Sequence, residues 1–135
     1  MHRRTFLASA SATLVLPMAA RASINYTPGL VKKHLAAGDT VFLDFKTDWC
    51  TTCAAQERAI NALKQSNPAY DEAITFINVD WDQHSNSELA RTLKIPRRST
   101  LVALKGDQEL GRIVAGTSKS KIKDLLDTAL TAATD

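Results

Sequence analysis

The run Val41-Phe42-Leu43-Asp44-Phe45 is followed, after four intervening residues, by Cys50-Thr51-Thr52-Cys53. A short, nearly continuous apolar stretch of this kind reads as a central strand, Thr40 to Lys46, buried on both faces. Beyond the second cysteine, Ala55, Ala59, Ile60 and Leu63 fall on one side of a helix that runs from Thr51 and stops at Asn67-Pro68. The only two cysteines of the chain therefore lie where a buried strand hands over to a helix. Closing so short a loop removes little entropy from the unfolded chain, so a stabilising staple explains them poorly. The pair is read as chemistry.

The remaining pattern supplies the rest of one domain. Tyr26-Thr27-Pro28-Gly29 opens a first helix, with Thr27 as its expected cap, Pro28 at its first position and Gly38-Asp39 at its end. Residues 73–79 form a second strand of β-branched and aromatic character, 80–87 a polar loop containing Trp81, and 88–93 a short helix. Thr100 to Leu104 and Leu110 to Val114 form a hairpin across Lys105-Gly106-Asp107-Gln108. Ser118 or Ser120 then caps a last helix striped by Ile122, Leu125, Leu126 and Leu130. The expected architecture is α/β, a central mixed sheet of about four strands flanked by helices.

At 135 residues there is room for one such domain. The N-terminus is of a different kind. Arg3-Arg4, the apolar stretch from Phe6 to Leu16, and Ala20-Arg21-Ala22 form a basic region, a hydrophobic region and a cleavage site. Arg3-Arg4-x-Phe6-Leu7 resembles a twin-arginine export signal, and the apolar run is shorter than the roughly 20 residues of a spanning helix. The expected division is a signal at 1–22, with an uncleaved anchor as the alternative, and a domain at 23–135 that is not inserted in the membrane once the signal is cleaved. Removing Arg3, Arg4 and Arg21 from 17 basic residues balances the 14 acidic ones. Such a domain is formally neutral and gives no electrostatic reason to bind nucleic acid. An exported chain lies in a periplasm, where disulfides form and persist.

Asp44-Phe45-x-x-Asp48-Trp49-Cys50-x-x-Cys53 resembles the active-site segment of thioredoxins, and the order of elements is similar over essentially the whole mature chain. Thr47-Asp48-Trp49-Cys50, with Glu57 one turn beyond Cys53, is closer to the periplasmic thioredoxin-like domain of DsbD-type membrane thiol reductases. The resemblance implies a thioredoxin fold and a redox dithiol.

Thiolate is the nucleophile of disulfide exchange. Cys50, at the helix start, meets unpaired N–H groups and the positive end of the helix dipole, which favour the anion and make it the attacking residue. Cys53, one turn deeper, is the resolving residue and needs a base. Asp44, in the middle of an otherwise apolar strand, is the expected base, its pKa raised by burial; the resemblance points to the same carboxylate. Trp49, by resemblance, is a partly exposed platform beside the cysteines. Glu57 reads equally as a solvent-facing residue in an i,i+4 contact.

The resemblance also implies a cis-proline facing the two cysteines, immediately before a Thr that begins the third strand. Ungapped alignment puts Ser99 at that place, with Arg98 in the position that contacts substrate; the alternative makes Ile95-Pro96 the cis bond and inserts three residues. With Ser99 there, the peptide bond is expected to be trans, and the hydroxyl can donate to the Cys50 thiolate. Arg97 is expected to be an ordinary solvated charge.

These residues point to an exported thiol-disulfide oxidoreductase acting as a reductant, fed by a membrane thiol-reductase donor and acting on oxidised periplasmic proteins. No cofactor is expected, since the two sulfurs carry the electrons. A second reading uses the same thiolates to hold Cu(I), with no third ligand evident; His34 and His84 read as surface or satisfied histidines.

Overall fold

The computed structural model describes residues 23–135; the expected export signal lies outside the described residues. A five-stranded sheet is ordered β1-β3-β2-β4-β5, with β1 Ile24–Asn25, β2 Thr40–Lys46, β3 Ile74–Asp80, β4 Thr100–Lys105 and β5 Gln108–Val114. β1 and β2 each run parallel to β3, whereas β4 is antiparallel to β2 and to β5, so the sheet is mixed. About four strands were expected. The fifth is the two-residue β1, too short to carry a period, which exists because Ile24 and Asn25 pair with Ile77 and Asn78.

The helices are α1 Leu30–Ala36, α2 Thr51–Ser66, α3 Ala69–Ala73, α4 Trp81–His84, α5 Glu88–Thr92 and α6 Lys119–Thr134. Side-chain alternation along the strands divides the core in two. Phe42, Ile74, Phe76, Leu101 and Ala103 face Ile60, Leu63, Tyr70, Ile122, Leu125 and Leu126 of α2, α3 and α6. Val41, Leu43, Phe45, Ile77, Val79, Val102 and Leu104 face Val31 of α1 and Ala90 of α5. Asp44 shares the parity of Phe42, so its side chain lies on the α2 side of β2.

Several local expectations need correction. α1 starts at Leu30 behind Gly29, whose φ of 87° makes a left-handed entry with no side-chain cap; Thr27 and Pro28 precede the helix. The segment after Pro68 forms α3 rather than a plain connection, and Trp81 stands in the one-turn α4, capped by the Asp80 carboxylate. Ser118, not Ser120, caps α6 by accepting from the Lys121 N–H. Among the described residues no helix is long and apolar enough to cross a membrane.

Candidate active site

The site is built where β2 ends and α2 begins. β2 is sealed between β3 and β4 along its length, which fixes where the following segment emerges. Cys50 is the N-cap of α2, in extended conformation, and its sulfur accepts from the Cys53 N–H at 3.1 Å. That contact satisfies one of the otherwise unpaired N–H groups of the first helical turn. The two cysteines are joined as a disulfide with Cα atoms 5.2 Å apart. Both are buried, Cys50 at 5% exposure and Cys53 at 1%, so Cys50 is the less covered of the two.

Ser99 stands opposite both. Its hydroxyl oxygen lies 3.1 Å from the Cys50 sulfur and 3.1 Å from the Cys53 sulfur, and the residue is wholly buried. Disulfide sulfurs carry no proton, so the hydroxyl is the donor, and its one hydrogen serves one sulfur at a time. Ser99 has φ 64°, a left-handed conformation uncommon for a residue with a Cβ. Its N–H donates to Phe45 O at 2.7 Å, and its carbonyl accepts from the Ala115 N–H at 2.8 Å. No peptide bond among the described residues is cis. Pro96 is exposed, away from the sulfurs, in the loop between α5 and β4.

A residue passed over in the sequence contributes as much. Gln56, one turn beyond Cys53, is fully buried. Its side-chain amide donates to Ser99 O at 2.9 Å and to Gly116 O at 3.0 Å. Both neighbours are carbonyls, which settles which end of the amide faces them. The sequence signal was faint: a Gln on the apolar side of an amphipathic helix, three residues after Cys53.

Asp44 is buried, and one carboxylate oxygen has no hydrogen-bond partner among the described residues. Burial, reinforced by Glu57 and opposed by Lys46 and Lys64, raises its pKa from 3.8 to about 7. It lines a cavity of about 30 Å³ with Phe42, Glu57, Ile60 and Lys64. That is room for a water molecule. The carboxylate is hydrogen-bonded to neither sulfur, so it does not lie directly beneath Cys53 in the sense of touching it.

Trp49 is 60% exposed. Its indole N–H donates to Asp82 at 2.9 Å, and the Arg98 guanidinium carbon lies 4.3 Å from its ring centre. Arg98 is half-buried with its Nε unpartnered among the described residues, and Arg97 is exposed, donating from its own Nε to Arg98 O at 3.0 Å. Glu57 pairs with Lys46 of β2 at 2.9 Å rather than with an i,i+4 partner on its own helix. His34 is engaged by Asp39 at 2.8 Å, and the His84 ring packs edge-on against Tyr26. Among the described residues no three His, Cys, Asp or Glu side chains come together to hold a metal, so the two sulfurs gain no third ligand.

Comparison with known proteins agrees with this geometry. The family model described as Thioredoxin matches residues 22–128. The rice (Oryza sativa subsp. japonica) proteins Thioredoxin H2-1 and Thioredoxin H2-2 are 30% identical over 95 residues and 31% over 83, or 70% and 62% of this chain. Those matches span 64% and 57% of the rice proteins' own lengths. Among solved structures, Trxlp from Edwardsiella tarda EIB202 superposes with a TM-score of 0.66 at 28% identity, covering 77% of this chain and 98% of that one. Oxidised mitochondrial thioredoxin 3 from Saccharomyces cerevisiae, at 22% identity, shares the fold with a TM-score of 0.62 over 78% of this chain and 94% of its own. With a dithiol at the head of its central helix and a family match across nearly all of the described residues, the chain belongs to the thioredoxin family.

Proposed function

We propose that this protein is an exported thiol-disulfide oxidoreductase that reduces disulfides of periplasmic proteins. The observation that carries the reading is the Cys50–Cys53 disulfide seated on the first turn of α2, with Cys50 as the helix cap. A sulfur at that place gains most when it becomes an anion, because the N–H that it accepts from and the helix dipole both favour negative charge.

In the reductive direction, the Cys50 thiolate attacks a substrate disulfide, forms a mixed disulfide and releases one substrate thiolate, which takes a proton from water. Cys53 then loses its proton and attacks the Cys50 sulfur. The second substrate thiolate leaves, and the Cys50–Cys53 disulfide forms. Two electrons pass from the dithiol to the substrate. Asp44, with its pKa about 7, is the base we assign to Cys53. An external dithiol restores the reduced pair, and a membrane thiol reductase of the kind implied by Thr47-Asp48-Trp49-Cys50 is the partner we assign to that step.

Arg98 and Trp49 form the substrate-binding rim. The Ser99 N–H and C=O are both committed within the protein. Arg98, whose carbonyl accepts only from the Arg97 side chain among the described residues, has backbone left for a substrate. Export rests on Arg3-Arg4-x-Phe6-Leu7 and is tested by whether deleting residues 1–22 keeps the protein in the cytoplasm. The activity is tested with Cys50→Ser on a model protein disulfide: turnover at the wild-type rate defeats the assignment. Equilibration with glutathione fixes the direction, a potential near about −270 mV marking a reductant and one near about −120 mV an oxidant.

A further inference from the structure

We infer that Gln56 is the positioning residue of the dithiol, acting through Ser99, and that this pair does by hydrogen bonding what a proline ring does by its covalent geometry. The inference rests on the proposed thiol chemistry, and deepens it. Gln56 is an expensive choice where it stands. It is wholly buried on the helix face that carries Cys53, and its carbonyl oxygen is left without a partner among the described residues. An unmade hydrogen bond of that kind is costly in the interior, a cost that a leucine would avoid. What the amide does instead is hold two carbonyls, Ser99 O just before β4 and Gly116 O just after β5, together at the open end of the hairpin.

Ser99 needs to be held. At φ 64° a residue with a Cβ lies in a region that only a surrounding set of contacts keeps occupied. Phe45 O and the Ala115 N–H grip its two backbone groups along the sheet. Beside the hydroxyl's own contacts with the sulfurs, Gln56 ties its backbone to α2, the helix that Cys50 caps and that carries Cys53. With that tie in place the hydroxyl stays 3.1 Å from each sulfur. It can turn its hydrogen to Cys50 when Cys50 is the thiolate, and to Cys53 as Cys53 loses its proton. Without the tie Ser99 is free to relax from its left-handed conformation and the hydroxyl loses its aim.

The test is a thiolate titration by absorbance at 240 nm on reduced wild type, Gln56→Met, Ser99→Ala and the double variant, with Asp44, Lys46, Glu57 and Arg98 unchanged in all four. Gln56→Met should raise the Cys50 pKa by at least half a unit, Ser99→Ala by as much or more, and the double variant no further than Ser99→Ala. An unchanged pKa in Gln56→Met, or an equal added shift in the Ser99→Ala background, overturns the inference, because a merely structural Gln56 would act on stability alone. Should Gln56→Met not fold, the wild type still decides: NMR resonances of the Gln56 side-chain amide must move on reduction and exchange slowly, and solvent-averaged, redox-blind resonances overturn it. Loss of the oxidoreductase reading shows separately, as a wild-type protein that reduces no disulfide while the titration pattern stands.

Discussion

The Arg98 guanidinium lies over the Trp49 indole, 4.3 Å from the ring centre, tying the residue before Ser99 to the residue before Cys50. This contact joins the two segments that flank the sulfurs and sets a positive charge at the rim of the site. Arg98 takes part in no ion pair among the described residues. A substrate carboxylate is the natural partner for a guanidinium at the rim with no ion pair of its own.

Disulfide peptides with Glu beside the cysteine should therefore be preferred to those with Lys. Arg98→Glu should reverse the order, changing KM by about tenfold, which corresponds to roughly 1.4 kcal/mol, with a smaller change in kcat. Steady-state kinetics on the two peptides reads this directly, and equal KM values in the wild type refute it.

Ser99→Ala removes a hydroxyl that touches both sulfurs. The thiolate loses a donor that the disulfide used only weakly, so the reduced form is destabilised. The Cys50 pKa should rise by about one unit, ~1.4 kcal/mol, and the potential should fall by about 30 mV. Glutathione equilibration checks the second figure; an unchanged potential shows that the hydroxyl is a bystander.

Asp44 gives stability a pH dependence of definite sign. In the unfolded chain it ionises near 3.8, whereas the folded chain holds the proton up to about 7. The folded state thus binds more protons between these values, and its contribution to stability falls as pH rises through that window and stays flat above it. Asp44→Asn should stabilise the protein at pH 8 by roughly 2–4 kcal/mol and have little such effect near pH 3.5. Urea unfolding at the two pH values measures the difference. The same substitution should slow resolution by Cys53.

Glu57 raises the Asp44 pKa, and its ion pair occupies Lys46, which lowers it. Glu57→Gln removes the first influence and releases the second, so both changes act in one direction. The Asp44 pKa should drop below about 7, observable as a shifted carboxyl resonance in an NMR titration; a constant or higher value contradicts the coupling.

The central strand, the helix start and the hairpin were legible because each is set by neighbours in sequence: alternation along β4, the apolar run of β2, the serine before α6. β1 was not, since two residues carry no pattern and its existence depends on the exposed edge of β3. Glu57 was read as a helix-surface residue, yet its partner sits on β2, eleven positions away in sequence. Sequence spacing finds i,i+4 neighbours and cannot find that one.

What the sequence determined by itself was the chemistry's address: two cysteines at a helix start, where unpaired N–H groups favour an anion, with a carboxyl group in the strand behind them. Tertiary structure alone decided what faces those sulfurs. Two alignments of the 94–100 segment were open until β4 paired with β2 and its first residues were drawn against Phe45, leaving Ser99 on the sulfurs and Pro96 outside. Gln56 became part of the site only through carbonyls 43 and 60 residues further along the chain. A polar side chain on a helix reads as surface until distant backbone covers it, because its burial is tolerable only once those carbonyls arrive to accept its hydrogens.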